Sequence, residues 1–542
     1  MKSLPPSNFF SRRTEYERAR QAYFTYFTMV EEQNMPCISW WRHVSLAMLA
    51  AAVLIFSFVG TRPIMDTSEA RYAETAREMA FEGHWLIPHL GGTPHLTKPP
   101  LTYWLVGVSM RMFGATEWAA RLPIGLAALG TVVLTALCAR ALFNPRTGIL
   151  AAWLQGLALV PCAAAGVITT DTVLAFFETG YMWCAWLLLT KRLDLRERLG
   201  WQLAFYGFLA GGFLTKAQAA LVPILPLLVF VLWKRKHITW KNLWSFPGFL
   251  LFLALVLPWP MIVLIRVPQA LRVWHEEIIA NVFEEADHDF SRVALLLILV
   301  FGSFPSFPIL LAELRRCCRR KAHSIELPHL YLGLWIGISF IVLALQKTRL
   351  PLYVLPLFPP LSMYAADILH RRWLGKRELS FRWIPRWIAA AVLLYAIVFV
   401  AGKWYYGSTV EKRDPRRCFR SVAHIIEDAA KSDGRKPIVY TKEGKLGYGI
   451  MFYLQSSRLV RVGETSSSLV RSRPISVRQV LAEPEPPDSS QYFLIEHKDA
   501  GHTQELFSQK AVMIGQTPAY QVWKRREEST VTTNSEPPKV AH

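Results

Sequence analysis

Cysteine is scarce in this chain of 542 residues, and its seven cysteines show no spacing typical of a metal site. Only Cys418 falls in a region that we place outside the cytoplasm, so the sequence predicts no disulfide framework. The adjacent Cys317 and Cys318 lie among arginines and could be lipidated at a membrane edge or be incidental thiols. A short cleavable signal peptide is also lacking, because the first apolar run follows about 43 mixed residues and is long enough to stay in a membrane. This run predicts a signal anchor.

Charge is missing from long stretches of the sequence. The runs 44–60, 246–265 and 385–402 carry no charged residue except at their edges, and 52% of the chain is hydrophobic. About 20 apolar residues span a bilayer core of about 30 Å as a helix. The pattern predicts a polytopic membrane protein with about 11 to 13 membrane helices. We place the crossings near 44–60, 122–140, 147–165, 171–190, 201–215, 218–233, 246–265, 292–312, 329–345, 350–368 and 385–402.

The chain is strongly basic, with a formal net charge of +21. A nucleic-acid-binding protein collects its basic residues on a soluble face, whereas here they separate apolar runs, so we expect no nucleic-acid partner. Short loops rich in Lys and Arg stay on the cytoplasmic side of a membrane. Residues 1–43 are then a cytoplasmic extension, and Tyr16 to Glu32 could form an amphipathic surface helix or a solvated segment. The large loop 61–121 faces outward, and residues 100–113 form a half-inserted helix because they are too short to span.

The composition becomes that of a small water-soluble domain after about residue 404. Short β patterns occur at 437–441, 458–462, 492–496 and 520–524, with helical patterns between them. Alternation of this kind predicts a small α/β domain over 404–525. With an odd number of crossings it lies outside the cytoplasm, in the periplasm of a cell with an inner membrane. The segment 526–542 has the composition of a disordered tail.

The segment 65–83 combines a helix signature with charged residues. Thr67 or Ser68 can cap a helix that Gly83 ends, and alanines recur at helical spacing opposite Glu74 and Glu78. Asp66 precedes this helix, where backbone N–H groups favour an ionised carboxylate. It is either a functional anion at the membrane surface or part of the helix cap. Lys98, before Pro99 and Pro100, lies at headgroup height and could bind a phosphate or extend into the headgroup layer.

Seven segments, taken in order, resemble one family of membrane-embedded glycosyltransferases. They are DTSEARYAETAREM, KPPLTYW, FGATEWAARLP, ITTDTVLAFF, GGFLTKAQAA, LPWPMIVL and LQKTRLPLYVLPLFPPL. The resemblance as a whole extends over about residues 44 to 402. The family, glycosyltransferase family 39, includes the protein O-mannosyltransferases and the ArnT-like aminoarabinose transferases. The resemblance implies a GT-C-like helical fold. It also implies an inverting enzyme that moves a sugar from a polyprenyl (undecaprenyl) phosphate carrier to an acceptor such as lipid A, another glycolipid or a protein.

The resemblance also implies roles for particular residues. Asp66 matches the family's catalytic acidic residue, with Glu69 as its usual neighbour, and a carboxylate can act as a base toward an acceptor hydroxyl. The donor phosphate is expected to bind to Lys98, Lys347, Arg349 and Tyr353, because cations stabilise the charge of a departing phosphate. Asp171 and Lys216 match polar positions within spans, and they are either cavity-lining functional residues or a buried structural pair.

The chain departs from the aminoarabinose branch at several positions. Ser68 replaces an acidic residue, and Thr97 replaces a glutamate tied to metal binding in that branch, so a bound divalent metal is doubtful. His84, His89 and His95 crowd the same loop and are either replacement ligands or unligated histidines. No arginine follows His275-Glu276-Glu277, where that branch has part of its phosphate clamp.

Two other interpretations stay open on the sequence. The basic rim and the intramembrane polar residues would also suit a transporter or flippase of a lipid-linked sugar. The C-terminal domain could be a binding module that selects the acceptor.

Overall fold

A computed structural model describes residues 37–66, 68–283, 290–317, 325–374, 386–441, 447–455, 459–461, 480–481, 488–497, 507 and 510–526. The amphipathic segment Tyr16 to Glu32 and the tail after residue 526 lie outside the described residues. The chain divides into two compact units. The membrane unit comprises Met1–Arg62, Thr75–His89 and Thr93–Gly407, and the C-terminal unit comprises Pro63–Glu74, Leu90–Gly92 and Ser408–His542.

Helices make up most of the described chain before residue 413. They are α1 (Cys37–Phe56), α2 (Ser68–Glu82), α3 (Leu101–Phe113), α4 (Glu117–Leu142), α5 (Pro145–Gly156), α6 (Leu159–Ala164), α7 (Thr170–Thr190), α8 (Leu195–Lys216), α9 (Ile224–Lys234), α10 (Phe246–Val256), α11 (Pro258–Arg266), α12 (Ala270–Phe283), α13 (Arg292–Gly302), α14 (Ser306–Cys317), α15 (Leu327–Leu345), α16 (Phe358–Leu369) and α17 (Arg386–Arg413). Short 3-10 turns cover Ala217–Leu221, Trp240–Leu243 and Pro351–Leu357, and a π turn covers His370–Leu374. Two short strands, β1 (His89–Leu90) and β2 (Thr93–Pro94), lie between α2 and α3.

Seven helical segments in the described residues are long and apolar enough to cross a membrane, so the predicted polytopic helical architecture is confirmed. The count reaches nine if each of two bent helix pairs is one span, with bends of 69° between α8 and α9 and 105° between α13 and α14. The predicted crossings 201–215 and 218–233 correspond to the first bent pair. The predicted crossing 147–165 corresponds to the two short helices α5 and α6. Hydropathy alone does not show where the backbone turns within an apolar run.

Helices α7 and α8 interlock through glycines. Gly180 of α7 faces the ring of Phe208 of α8, and Gly211 of α8 faces the ring of Phe177 of α7. A methyl group at either glycine would overlap the facing ring. This reciprocal fit sets the two helices in one register, and these helices carry Asp171 and Lys216.

Helix α2 has the predicted position. It begins at Ser68, and Gly83 follows it with a φ of 86°, which glycine adopts at little cost. The alanine face is buried as expected, yet Glu74, Arg77 and Glu78 are also buried, with exposures of 0%, 2% and 0%. The side of α2 opposite the alanines, which carries Glu74 and Glu78, is therefore buried as well. Arg77 is paired with Glu82 at 2.7 Å.

The C-terminal unit contains a five-stranded mixed sheet in the order β4-β3-β5-β7-β6. The strands are β3 (Lys436–Thr441), β4 (Leu459–Arg461), β5 (Ser489–Glu496), β6 (Ala511–Gln516) and β7 (Tyr520–Arg525). Strand β3 pairs in parallel with β4 and β5, whereas β7 pairs antiparallel with β5 and β6. Four strands coincide with the predicted ones, and β6 is additional.

Side chains from the sheet enter two separate apolar clusters. Val439 of β3 packs with residues of α18 (Arg420–Asp433) and α19 (Tyr448–Leu454), whereas the neighbouring Ile438 and Tyr440 belong to another cluster that holds Phe493. Neighbouring residues of a strand point to opposite faces. Both faces of the sheet are therefore covered, as in the predicted α/β domain.

Candidate active site

A cavity of about 470 Å³ lies in the membrane unit. Lys98, Asp171, Lys216 and Tyr353, which are distant in sequence and were each singled out from their motifs, all line it. Much of the remaining wall is apolar, with contributions from α7, α8, α10 and α15. A volume of this size falls within the range of small-molecule and cofactor sites.

Asp171 and Lys216 form an ion pair at the cavity wall. The Lys216 ammonium donates to Asp171 Oδ1 at 2.6 Å and lies 3.7 Å from the centroid of the Tyr353 ring. The side chains are only 14% and 10% exposed for Lys216 and Asp171. They are thus a buried ion pair that also lines the cavity. The sequence had left a buried structural pair and cavity-lining residues as alternatives, and the structure shows both features together. Their part in a reaction stays a prediction.

The local backbone explains how this pair is presented. Asp171 is in the first turn of α7, where the helix dipole favours an anion, and Lys216 is the last residue of α8, where it favours a cation. Ala217 then takes a φ of 31°, a value that residues with a Cβ rarely adopt. The chain turns here toward α9, and Ala217 itself lines the cavity.

Lys98 reaches the cavity through the Pro99-Pro100 turn that leads into α3. Pro100 stands at the N-terminal cap of that helix, where its missing N–H costs no helical hydrogen bond. Thr97 also lines the cavity, and its hydroxyl lies 3.0 Å from His95 Nε2. The Lys-Pro-Pro motif therefore places its lysine in the lining of the same cavity as the Asp171–Lys216 pair.

Lys347 and Arg349 are placed differently from Tyr353. Neither is among the described residues that line the cavity. The Arg349 side chain is 7% exposed, and its Nε donates to the Phe290 carbonyl at 2.9 Å while Nη1 donates to the Gln346 carbonyl. Arg349 thus braces the turn before Tyr353. The binding of the donor phosphate by Lys347 and Arg349 stays a prediction.

Sequence reasoning missed Glu178. This residue is on α7, seven positions after Asp171, and lines the same cavity with an exposure of 2%. Residues seven apart lie on one face of a helix. The spacing from Asp171, together with a single carboxyl inside an apolar run, was the signal that could have identified it.

Asp66 belongs to the C-terminal unit and is fully buried, with 0% exposure. Its carboxylate accepts hydrogen bonds from the backbone N–H groups of Gly447 and Gly449, the latter at 2.9 Å. Its own backbone N–H donates to the Arg417 carbonyl at 2.9 Å, and Arg417 Nε donates to the Asp66 carbonyl. The carboxylate is therefore bound at the N-terminal end of α19, and not by the first turn of α2 as the capping interpretation required.

Burial raises the pKa of Asp66 to about 6. The backbone N–H groups of residues 447, 448 and 449 and the Arg417 guanidinium oppose this shift, because they stabilise the ionised form. A carboxyl with this pKa exchanges its proton near neutral pH, which suits a general base. Its catalytic role stays a prediction.

Glu69 folds back toward the residues before α2. Its carboxylate accepts the backbone N–H of Met65 at 3.3 Å, and the side chain is 4% exposed. This is the geometry by which an early helical glutamate satisfies a backbone donor at the start of its helix. Glu69 thus holds the short segment that carries Asp66.

The histidines of the loop after α2 do not assemble a metal site. His84 and His89 stack with ring centroids 4.0 Å apart, and burial lowers the pKa of His89. Among the described residues, no three His, Cys, Asp or Glu side chains are arranged to hold a metal ion. Thr97, which stands where the related branch has a glutamate, offers a hydroxyl hydrogen-bonded to His95. This donor set does not fit a divalent metal.

Comparisons with known proteins agree on one group. Residues 97–262 match a family model described as dolichyl-phosphate-mannose-protein mannosyltransferase. The undecaprenyl phosphate-alpha-4-amino-4-deoxy-L-arabinose arabinosyl transferase 2 of Pseudomonas fluorescens is 28% identical over 351 residues, which are 63% of this chain and 62% of the relative. The arabinosyl transferase of that kind from Yersinia enterocolitica is 30% identical over 379 residues, 67% of this chain and 66% of the relative. The chain thus spans less than two thirds of the length of these curated relatives.

Solved structures show the same fold. The crystal structure of ArnT from Cupriavidus metallidurans bound to undecaprenyl phosphate aligns with a TM-score of 0.72 at 21% identity, over 90% of this chain and 98% of that one. The apo structure of the same protein aligns with a TM-score of 0.71, over 89% and 97% of the two chains. At this identity the likeness establishes the architecture alone.

Proposed function

We propose an activity for this chain from the premise that it belongs to the ArnT and protein mannosyltransferase group of GT-C membrane glycosyltransferases. It moves a sugar from a polyprenyl phosphate carrier, such as undecaprenyl phosphate, to a cell-envelope acceptor such as lipid A, another glycolipid or a protein. The relatives in the comparisons are transferases of this kind by name, and the alternative of a transporter or flippase gains no support from them.

The cavity of the membrane unit is the observation that carries this proposal. It joins cationic side chains, Lys98 and Lys216, to a wall that is mostly hydrocarbon. A polyprenyl phosphate has the matching design, with one anionic group on a long apolar chain. Lys98 binds the carrier phosphate as a point charge, and Lys216 is held ready beside it by Asp171 and Tyr353.

The transfer itself is an inverting displacement at the anomeric carbon of the donor sugar. The acceptor oxygen forms a bond to that carbon while the bond from the carbon to the phosphate oxygen breaks. The electron pair leaves with the carrier phosphate, and the acceptor proton passes to the Asp66 carboxylate. Cations around the phosphate stabilise the charge that develops on the leaving group.

Asp66 must become accessible for this step. In the structure its carboxylate is buried and bound by Gly447 and Gly449. Each carboxylate oxygen has a second lone pair, so a proton can be accepted while one N–H bond persists. We therefore infer that the N-terminal end of α19, with Gly447 and Gly449, moves away from at least one side of the carboxylate before an acceptor hydroxyl reaches it.

The protein is a multi-pass membrane protein, and we assign it to the inner membrane. Its basic loops support a cytoplasmic N-terminus, with loop 61–121 and the C-terminal unit in the periplasm. On this topology the partners are the lipid-linked sugar donor, an envelope glycolipid or protein acceptor, and the surrounding lipids.

The decisive experiment measures sugar transfer by the purified full-length protein in lipid nanodiscs. Undecaprenyl phosphate 4-amino-4-deoxy-L-arabinose serves as the probe donor, and an extract of envelope lipids and proteins supplies acceptors. We expect Lys98→Ala to raise the donor KM about 10-fold or more and Asp66→Asn to abolish transfer. The exposed Lys191→Ala serves as the control and should retain activity. Full activity in both site variants would refute the assignment, and carrier translocation without any sugar transfer would refute the enzyme.

A further inference from the structure

A groove of about 470 Å³ lies beside the first turns of α8 and the 3-10 turn Trp240–Leu243. Among the described residues that line it are two cations, Arg198 and Lys241, and no carboxylate. We call it the basic groove. It shares no described lining residue with the cavity that holds Lys98. The basic groove is therefore a separate site, which the transfer reaction leaves unused.

Helix α7 measures how far the basic groove lies from that cavity. The helix has 21 residues, so its ends are about 30 Å apart. Asp171, in its first turn, lines the cavity, whereas Thr190, its last residue, precedes the short loop that leads into α8. The hydrocarbon core of a bilayer is about 30 Å thick. The basic groove therefore lies near the opposite membrane surface, on the side that we assign to the cytoplasm.

Hydrogen bonds to the end of α7 fix the loop that carries Lys241. Thr239 donates to the Leu189 carbonyl through both its N–H and its hydroxyl, each at 2.9 Å. Asn242 Nδ2 donates to the Leu188 carbonyl at 3.2 Å. The last carbonyls of a helix have no partner within that helix, so this loop satisfies them. Lys241 thus stands between two anchored residues.

Helix α8 holds the same loop from its other side. Gln202 Nε2 donates to the carbonyls of Asn242 and Trp244, at 2.7 and 3.1 Å. Gln202 is four residues beyond Arg198, on the same face of α8. The two cations of the groove are therefore carried by segments that are bonded to each other, and the site exists before a ligand arrives.

Cationic residues dominate the two loops beside the groove. Residues 191–198 and 234–241 contain eight Lys and Arg and two acidic residues, Asp194 and Glu197. These two acids form a capping box at the start of α8: the Glu197 N–H donates to Asp194 Oδ1 at 2.7 Å, and the Asp194 N–H donates to the Glu197 carboxylate at 3.2 Å. The groove therefore lies in a positive potential, which attracts an anion.

Apolar side chains form another part of the groove. Leu195 and Leu199, four residues apart on one face of α8, line it together with Trp244. Leu195 and Trp244 are 76% and 71% exposed. Tryptophan is enriched where a membrane meets water, since its ring is apolar and its N–H is polar. A free phosphate gains nothing from this apolar surface, whereas the first part of an acyl chain would bury it.

We propose that the basic groove binds an anionic phospholipid of the leaflet beside the basic loops. The phosphate of the lipid binds to Arg198 and Lys241, and the first methylene groups of an acyl chain pack on Leu199 and Trp244. A zwitterionic phospholipid brings an ammonium of its own, which the two cations repel. The bound lipid joins the start of α8 to the loop before α10, and it stabilises the membrane unit because it binds only the folded state.

The test is a lipid titration of the full-length protein in detergent, followed by native mass spectrometry. The probes are dioleoyl phosphatidylglycerol, which is anionic, and dioleoyl phosphatidylethanolamine, which is zwitterionic. We expect the wild type to bind the anionic lipid about 10-fold more tightly. The double variant Arg198→Gln/Lys241→Gln should lose that preference. The matched control Lys191→Gln/Arg196→Gln removes the same charge from residues that are not among the described lining of the groove, and it should keep the preference.

Two single variants separate the parts of the site. Lys241→Gln, at an exposed position, should weaken binding of the anionic lipid about 3-fold even if the Arg198 change disturbs α8. Trp244→Ala should weaken both lipids to a similar degree, because it removes apolar contact and no charge. Melting temperatures without added lipid show whether each variant is folded.

Three outcomes would overturn the proposal. One is equal binding of the two lipids by the wild type. Another is an equal loss of preference in the control pair, which would assign the effect to the overall charge of the loops. The third is displacement of the anionic lipid by an excess of inorganic phosphate, with Trp244→Ala binding as the wild type does, which would make the groove a site for a soluble phosphate compound. None of these outcomes depends on sugar transfer.

Discussion

Replacing Gly449 by alanine should raise the pKa of Asp66 still further. An added Cβ at this position would lie 3.3 Å from Asp66 Oδ1 and 3.3 Å from the Phe419 ring. Both distances are tighter than ordinary contact, so the carboxylate must move and the N–H bond of Gly449, now 2.9 Å, must lengthen. That bond stabilises the ionised form of Asp66.

The size of the effect follows from the strength of the bond. A hydrogen bond to a charged group contributes about 1.5–3 kcal/mol, and one pKa unit corresponds to about 1.4 kcal/mol. Weakening one such bond should therefore raise the pKa by about one unit, from about 6 to about 7. At pH 6.5 the ionised fraction would fall from roughly three quarters to roughly one quarter.

Infrared difference titration of the carboxyl band measures this pKa directly. The spectrum of Asp66→Asn, subtracted at each pH, isolates the Asp66 contribution. Gly402→Ala, where an added Cβ meets nothing within 4 Å, is the matched control and should titrate as the wild type does. A wild-type Asp66 that titrates near 4, or a Gly449→Ala variant with an unshifted titration, would refute the account of burial opposed by backbone N–H groups.

The raised pKa of Asp66 also predicts how the free energy of unfolding changes with pH. The folded protein binds the Asp66 proton more tightly than the unfolded chain, because burial raises the pKa from 3.8 to about 6. This contribution to the free energy of unfolding is fully present below about pH 4 and is lost as the pH rises through about 6. The difference is about 3 kcal/mol. Its absence in Asp66→Asn is the check, made by chemical denaturation of the C-terminal unit within the whole protein.

Three further predictions concern the membrane unit. Lys216→Met or Asp171→Asn alone should lower the free energy of unfolding by about 3–5 kcal/mol, because each single change leaves the other buried group unpaired. The double variant should lose less. Thermal unfolding of all three variants tests this. Tyr353→Leu should weaken undecaprenyl phosphate binding about 3-fold or more. Tyr353→Phe should not, since both tyrosine and phenylalanine provide a ring for the cation–π contact with the Lys216 ammonium. An equal loss of binding in both variants would contradict this. Arg121→Met should lower the melting temperature, because the fully buried Arg121 donates to the carbonyls of Val59 and Arg62 at 2.7 Å; unchanged melting would contradict this.

Much of the architecture was predictable because it depends on local composition. Apolar runs and basic loops were enough to predict a polytopic helical protein, and alternation in the C-terminal region predicted four of the five strands of the sheet. Strand β6, with the sequence AVMIGQ, was missed because its buried and exposed residues do not alternate regularly. The number of spans depends on backbone bends such as the one at Ala217. Such a bend cannot be predicted from the sequence when the residues that form it have an ordinary helix preference.

The candidate site was predictable where one motif places one side chain, and unpredictable where distant segments meet. Lys98, Asp171, Lys216 and Tyr353 converge on one cavity, as the resemblance implied. The partners of Asp66 lie 381 and 383 positions away, at Gly447 and Gly449, and no local pattern predicts such contacts.

The buried charges of α2 show the same limit. Glu74 and Glu78 fit an exposed helical face by spacing, yet both are fully buried. Tertiary packing overrides an amphipathic pattern that is read from one segment alone.

Ala217 shows that the cavity wall is held in a conformation the sequence does not favour. Its φ of 31° is costly for a residue with a Cβ, by about 1–3 kcal/mol. Glycine at this position would relieve that strain. It would also make the connection between α8 and α9 more flexible and weaken the ion pair between Lys216 and Asp171. The strained residue therefore lowers the stability of the fold but fixes the position of the Lys216 ammonium. Ala217→Gly should yield a protein that melts at a higher temperature and holds an anionic lipid less selectively.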